Sequence, residues 1–351
     1  MARNPIPIIN NISPFTEGAP PDDLQIEAIN QEEVLIGDPA LDEIVEQDST
    51  FDENLVEQIS QKELNRKASD LIKTYETDLS SRSEWEDKYK DGLKTLDADG
   101  GLTESEEQRA SRGLSTVIHP LISEAATQFN AKAIAELYPS GGPVKTVIVG
   151  EPNEELEEQA KRVRDFMNYQ ITSEMPEYFP DLDQMLFHLP LVGQAFKKVW
   201  WDPEKNRQMS LFVKAEDFVV APDANDLKTA SRYTQIIRMS KNDFNKYVDA
   251  GFYEPSDFDG EGLDPAGATI NEIEGLDAYD SEGKSEMMTL LEMHIYEQFD
   301  GLDGFEGKED NNEVAIPYVV TIDYEAEKVV SIRRNWKEDD ERKERRDWFV
   351  S

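Results

Sequence analysis

The chain has 351 residues, 38% of them hydrophobic, no cysteine, and a net charge of −39 from 75 acidic and 36 basic side chains. That length supports two domains with a real core; the missing cysteine excludes disulfides, zinc fingers and thiol catalysis and fits a reducing cytoplasm; and no apolar run approaches the roughly 20 residues that span a bilayer. The charge balance is the opposite of a DNA-wrapping protein's, which needs Lys and Arg to displace counterions, and suits either a very soluble protein or one that DNA passes without sticking.

Residues 1–60 read as a disordered acidic arm. Arg3 is its only base, and Pro5, Pro7, Pro14, Pro20, Pro21 and Pro39 break any periodicity. Short apolar pieces such as Val34-Leu35-Ile36 could still dock on a partner and fold there. The first residues lack the charged start and apolar core of a signal peptide.

Residues 61–110 form a helical segment. Leu64, Ala68, Leu71, Ile72, Tyr75 and Leu79 share one helical face, and Trp85, Tyr89 and Leu93 continue it past a break near Ser80-Ser81. Ser83 is placed to cap the second helix, whose first turn holds Glu84 and Glu86. The acidic turn from Asp97 to Gly101 ends it. A calcium-loop reading of that turn fails, because the glycine position holds Leu102 and the bidentate-acid position Gln108; the spacing around Asp300 and Asp303 fails as well.

Residues 111–253 read as an α+β core. Pro120 opens a helix whose inward stripe is Leu121, Ile122, Ala125, Ala126, Phe129, Ala133, Ile134 and Leu137. The Pro139–Pro143 turn stops it, and residues 144–149 form a strand. No phosphate-loop spacing occurs anywhere. A second amphipathic helix over 154–174 points Leu156, Ala160, Val163, Phe166, Met167 and Ile171 inward. A third, with Leu182, Met185, Leu186 and Leu189 on one face, is stopped by Pro190. After Gly193 the period changes to that of a β-hairpin, 196–201 and 209–213. Short strands follow at Val219-Val220 and 233–239, then a short helix capped by Ser240 and stopped at Gly251.

Residues 254–286 are an acidic Gly/Pro linker or surface loop with one base, Lys284. Residues 287–351 are β-rich, with strands at 287–296, 316–324 and 329–334 and a polar loop at 300–312. Charges alternate in sign from Lys337 to Arg346, as on a solvated surface. Arg333, Arg334, Arg345 and Arg346 are the weak candidates for a DNA or partner contact. The chain ends on an apolar, β-like Trp348-Phe349-Val350-Ser351 with no stop, which reads as an interrupted segment more than a natural terminus.

Chemistry is sparse. His119, His188 and His294 stand apart, without acidic companions in motif spacing, and neither a nucleophile elbow nor an H-E-x-x-H helix occurs. No cofactor, metal or catalytic residue is expected. Trp200 and Trp201 must alternate faces on their strand, one inward and one near the surface, as core or as a subunit contact. Lys197-Lys198 would likewise turn one cation outward. The candidate subunit-interface residues are Trp85, Tyr89, Lys197, Lys198, Trp200 and Trp201.

Several phrases carry a wider resemblance: Arg82-Ser83-Glu84-Trp85, His119-Pro120-Leu121, Glu136-Leu137-Tyr138-Pro139, Gly142-Pro143-Val144-Lys145-Thr146, Phe196-Lys197-Lys198 and Glu216-Asp217-Phe218-Val219-Val220. Over residues 64–351, apart from the acidic stretch near 260–285, the chain resembles the portal proteins of short-tailed double-stranded DNA phages. The resemblance implies a structural, non-enzymatic subunit of a ring, usually of twelve copies, at one capsid vertex of a virion assembled in the host cytoplasm. It implies contacts with the major capsid protein, the terminase motor and tail adaptors, and DNA passing in weak contact. On that template the chain is the α+β wing, helices packed with antiparallel hairpins, and the stem, clip and crown would follow residue 351. Another virion component, such as an adaptor or scaffold, and a magnesium-dependent enzyme acting through acidic clusters are the alternatives.

Overall fold

Among the described residues, runs of β-branched and aromatic side chains supply eight strands, which pair into two antiparallel sheets. The computed structural model describes residues 51–96, 111–113, 120–202, 205–256, 287–299, 302 and 314–351. The expectations for most of the acidic arm, the 97–110 turn, His119, most of the acidic linker and the 303–313 loop lie outside those residues. All described residues except Phe51 belong to one unit, Asp52–Ser351.

Among them are six α-helices: α1 (Gln61–Ser81), α2 (Ser83–Leu96), α3 (Leu121–Leu137), α4 (Glu154–Tyr169), α5 (Tyr178–Val192) and α6 (Lys241–Asp249). The strands are β1 (Phe196–Asp202), β2 (Arg207–Val213), β3 (Phe218–Val220), β4 (Arg232–Ser240), β5 (Met287–Glu297), β6 (Ile316–Asp323), β7 (Lys328–Arg334) and β8 (Phe349–Val350). The chain is therefore mixed α+β. One sheet runs in the order β3-β4-β5-β6-β7, and the other in the order β2-β1-β8.

The five-stranded sheet is covered on both faces. On one, α1 buries Leu64, Ala68, Leu71, Ile72 and Tyr75, the stripe expected from its periodicity. Asp78 fixes the far end of α1 through a two-pronged pair with Arg232 of β4, both distances 2.7 Å. On the other face, α6 and the following turn place Phe244 and Tyr253 against Met288, Leu290 and Val330. Ser240 caps α6 by accepting from the Asp243 amide, and Gly251, at φ 72°, follows it, both as expected. Beside that cluster the three-stranded sheet lies on the same face, with Phe196, Val213 and Phe349 packed on Phe218 and Tyr233.

Between α1 and α2 the expected break occurs, but Arg82 occupies the junction instead of Ser83 acting as a cap. Its guanidinium donates to the carbonyls of Ala215, Glu216 and Phe218 at 2.7–3.0 Å and pairs with Glu86 at 2.8 Å. One side chain thus ties the helical segment to the turn before β3.

Three further expectations are corrected. Pro190 lies inside α5, two residues before its end, where it removes a single hydrogen bond; Gly193, at φ 84°, ends the helix. Residues 144–149 join neither sheet. They run extended past α4, held by Asn168, which bonds both the amide and the carbonyl of Val144, and by Thr146 Oγ1 donating to the Ala160 carbonyl. A side chain at Gly142 (φ 93°) would meet Asn168 at 2.5 Å, so this close approach requires glycine. Third, the stripes of α3 and α4 do not face inward. Leu121, Ile122, Phe129 and Leu137 of α3 are exposed and only Ala126 is buried; α4 has no buried residue at all.

Candidate functional site

β1 is the central strand of its sheet, so both its faces are contested, and its two lysines are spent within the chain. Lys197 turns toward α5, with its ammonium 3.2 Å from Asp181 and 4.1 Å above the Tyr178 ring. Lys198 turns the other way, into the seam between the sheets, where it donates to Glu292 at 2.5 Å and to Gln235 at 3.1 Å. Neither cation points to solvent as expected. The alternation was legible; the α5 helix on one face and the five-stranded sheet on the other were not.

Glu292 is the centre of a polar row inside an otherwise apolar interface. On the sheet face toward the hairpin, the β4–β5 register pairs Gln235 with Glu292 and Tyr233 with His294. Asn335 Oδ1 accepts from the Trp348 indole at 2.6 Å, which turns its NH2 group toward His294 Nδ1 at 3.3 Å. The His294 proton therefore sits on Nε2, 3.0 Å from Glu292. Burial opposes the Glu292 charge, but the Lys198 ammonium and the His294 N–H overcome it and bring the carboxyl pKa down to about 2. Burial pushes the His294 imidazole below its ordinary value despite that same carboxylate. Both ring nitrogens are occupied and the ring stacks on Tyr233 at 4.8 Å. This is the chemistry of a lock between sheets: the acid–imidazole pair is sealed and committed.

The C-terminal arginines are drawn into the same construction. Arg345 donates to the carbonyls of Leu227, Lys228 and Ala230 and lies 4.9 Å over Tyr233. Arg333 lies 3.4 Å over Phe252 and donates to the Phe252 and Asp52 carbonyls, and burial depresses its pKa. Arg346 sits 3.7 Å from Asp52. Arg334 is in β7, opposite Tyr318. The expected solvated surface of mixed charge holds for Arg342 and Glu344 but not for Arg345 or Arg346, since the strap from Asn335 back to β8 turns them inward.

Of the aromatic candidates, Trp85 and Tyr89 stack on each other at 5.4 Å, Tyr89 is buried, and Trp85 packs against the Phe218 cluster under Arg82. Trp200 is half-buried near Lys198, whereas Trp201 is 54% exposed. The structure thus keeps Trp201, with Val199 beside it on the same strand face, open to a partner.

Further exposed apolar side chains lie on α3, on the 144–149 segment and on α4. Leu121 is 66% exposed, Phe166 59% and Val149 97%. Sequence reasoning found Leu121 and Phe166 by period and pointed them inward, because periodicity identifies an apolar face without naming what covers it. Among the described residues, no group of three or more His, Asp or Glu is placed to hold a metal ion, and no helix is long and apolar enough to cross a membrane. No protein-family model matches the chain, and no curated protein matches it.

Proposed function

We propose that this chain is a subunit of a ring-forming portal, its α+β body serving as the wing. The sequence resemblance over 64–351 supports that reading, and one structural observation carries it furthest: beside the two-sheet body, helices α3 and α4 leave large apolar side chains, Leu121, Phe129 and Phe166 among them, exposed among the described residues. Such faces mark surfaces completed by association. The role is structural, with DNA passing through the assembly and held weakly because a chain of charge −39 offers few counterion-releasing contacts. Terminase, tail adaptors and the major capsid protein are the partners such a ring would engage.

Negative-stain imaging of the purified protein tests this directly. The reading expects rings with a central hole and high rotational symmetry. Monomers or dimers at micromolar concentration, with no rings under any salt condition, would overturn it.

A further inference from the structure

Segment 144–149 and helix α4 leave two physical requirements unmet, and the two lie side by side. The segment alternates as a strand does, with Val144, Thr146 and Ile148 half-buried and Lys145, Val147 and Val149 exposed. Apart from the Val144 groups held by Asn168, its backbone N–H and C=O groups have no hydrogen-bond partner among the described residues. An extended β-branched run with free backbone on its edge is a template for another strand.

The second requirement is on α4. The segment runs antiparallel along the helix, with Val144 at Asn168 and Thr146 at Ala160. At about 100° per residue, Leu156, Val163 and Met167 lie about 20–60° round the helix from Ala160, on the flank away from Asn168. They are 38%, 44% and 41% exposed, because a single strand covers only the Ala160 side. A second strand about 4.8 Å from the first would lie over all three while pairing the open edge. Both needs thus specify one kind of occupant, an extended segment that is apolar on one face.

The chain carries such a segment outside the described residues. Residues 4–16 bear no charge, whereas 17–50 bear eleven acids and no base. Within 4–16, Ile6, Ile8 and Ile12 would share one face of a strand. Pro7 bars a helix but suits an added strand, since it falls with Ile9 and Asn11 on the edge that need not pair. Charge excludes the arm's other apolar pieces. Val34-Leu35-Ile36 follows Glu32-Glu33, and Ile44-Val45 follows Asp42-Glu43, so either would set carboxylates beside Glu154, Glu155 and Glu157 of α4. We propose that residues 6–12 of a neighbouring copy add as a strand to segment 144–149 and cover Leu156, Val163 and Met167. The roughly 40 residues between Ile12 and Asp52 can span at most about 130 Å, which is ample for reaching an adjacent copy. The choice of a neighbour over the chain's own arm rests on the portal reading. The contact joins two unlike surfaces, so it repeats from copy to copy until a ring closes.

Substitution, hydrogen exchange and cross-linking in the full chain test the contact. Ile6→Asp/Ile8→Asp should abolish ring assembly, and a peptide of residues 4–16 added to that variant should protect the amides of 145–149 and 156–167. Adding Val163→Glu/Met167→Glu, at side chains that are already exposed, should remove the protection. Because the chain has no cysteine, Ile9→Cys/Val147→Cys treated with a short bismaleimide should give a ladder of cross-linked multimers, while either single variant gives none. Rings that persist in Ile6→Asp/Ile8→Asp, or a peptide that protects nothing, would overturn strand addition and leave the portal reading standing. Cross-linked monomer without multimers would overturn the neighbour in favour of the chain's own arm. Wild-type protein that forms no rings, while the peptide still protects 145–149, would remove the portal reading and the neighbour with it and leave strand addition in place.

Discussion

Strand β6 and helix α4 are both rich in apolar side chains, yet every residue of β6 except Val319 is buried and no residue of α4 is. The sheet meets its partners within the chain: α1 on one face, α6 and the β1–β2–β8 sheet on the other. Helix α3 is held on α5 through Asn130 and Asp183 yet buries only Ala126, and α4 buries no residue. Apolar side chains thus meet opposite outcomes, and the difference separates a body that is finished within the chain from a surface that, on the proposed reading, is finished by assembly.

Changes in the finished body should cost most. Lys198→Met leaves Glu292 buried without its ammonium, and urea denaturation should show a loss of about 3–5 kcal/mol. A loss below about 1 kcal/mol would mean that the seam is wetter than its 13–14% side-chain exposure implies. Leu291→Ala, in the centre of β5 with no exposed surface, should cost about 2–5 kcal/mol by the same measurement.

The pH dependence isolates the buried pair. Glu292 is held near 2 against an ordinary 4.5, and His294 is held below its ordinary 6.5. Both folded-state values are depressed, so the unfolded chain takes up protons first as pH falls. Their contribution is fully present above pH 6.5 and declines as pH drops through 6.5 for the imidazole and then through 4.5 toward 2 for the carboxylate. The urea midpoint of wild type followed from pH 8 to 4 should fall more steeply than that of His294→Gln. Parallel curves would show that the imidazole is not held neutral by the fold.

Smaller effects complete the contrast. Ser240→Ala removes the cap of α6 and should cost about 1 kcal/mol. Phe166→Ser, on the open face of α4, should leave the dilute monomer within about 0.5 kcal/mol of wild type. A loss of 2 kcal/mol there would place the ring in a core and erase the distinction drawn between the two regions.

Much of the body was legible in the sequence. The strands β4 to β7 begin and end within a residue or so of their periodic runs, because Val, Ile and Tyr at period two, bounded by turns, have few other ways to fold. The α1 stripe, the break near Arg82, the Ser240 cap and the split between Trp200 and Trp201 were equally plain. What stayed hidden was tertiary. Nothing local in Lys197-Lys198 reveals that an α5 aspartate and a β5 glutamate wait on opposite faces. Nothing in Leu121 or Val163 reveals that their neighbours stay away. Arg345 sits in a run of alternating charge and is nevertheless an interior clamp, since its three carbonyl acceptors come from residues more than 110 positions earlier.

Hydrogen exchange of the α4 amides, compared between dilute and assembled protein, bears most directly on the claim that this surface is completed by association. The account predicts fast exchange across 154–169 in the monomer, strong protection in assemblies, and unchanged protection of β5 and β6 in both. Protection of α4 already present in the monomer, or absent from the assembled ring, would contradict it.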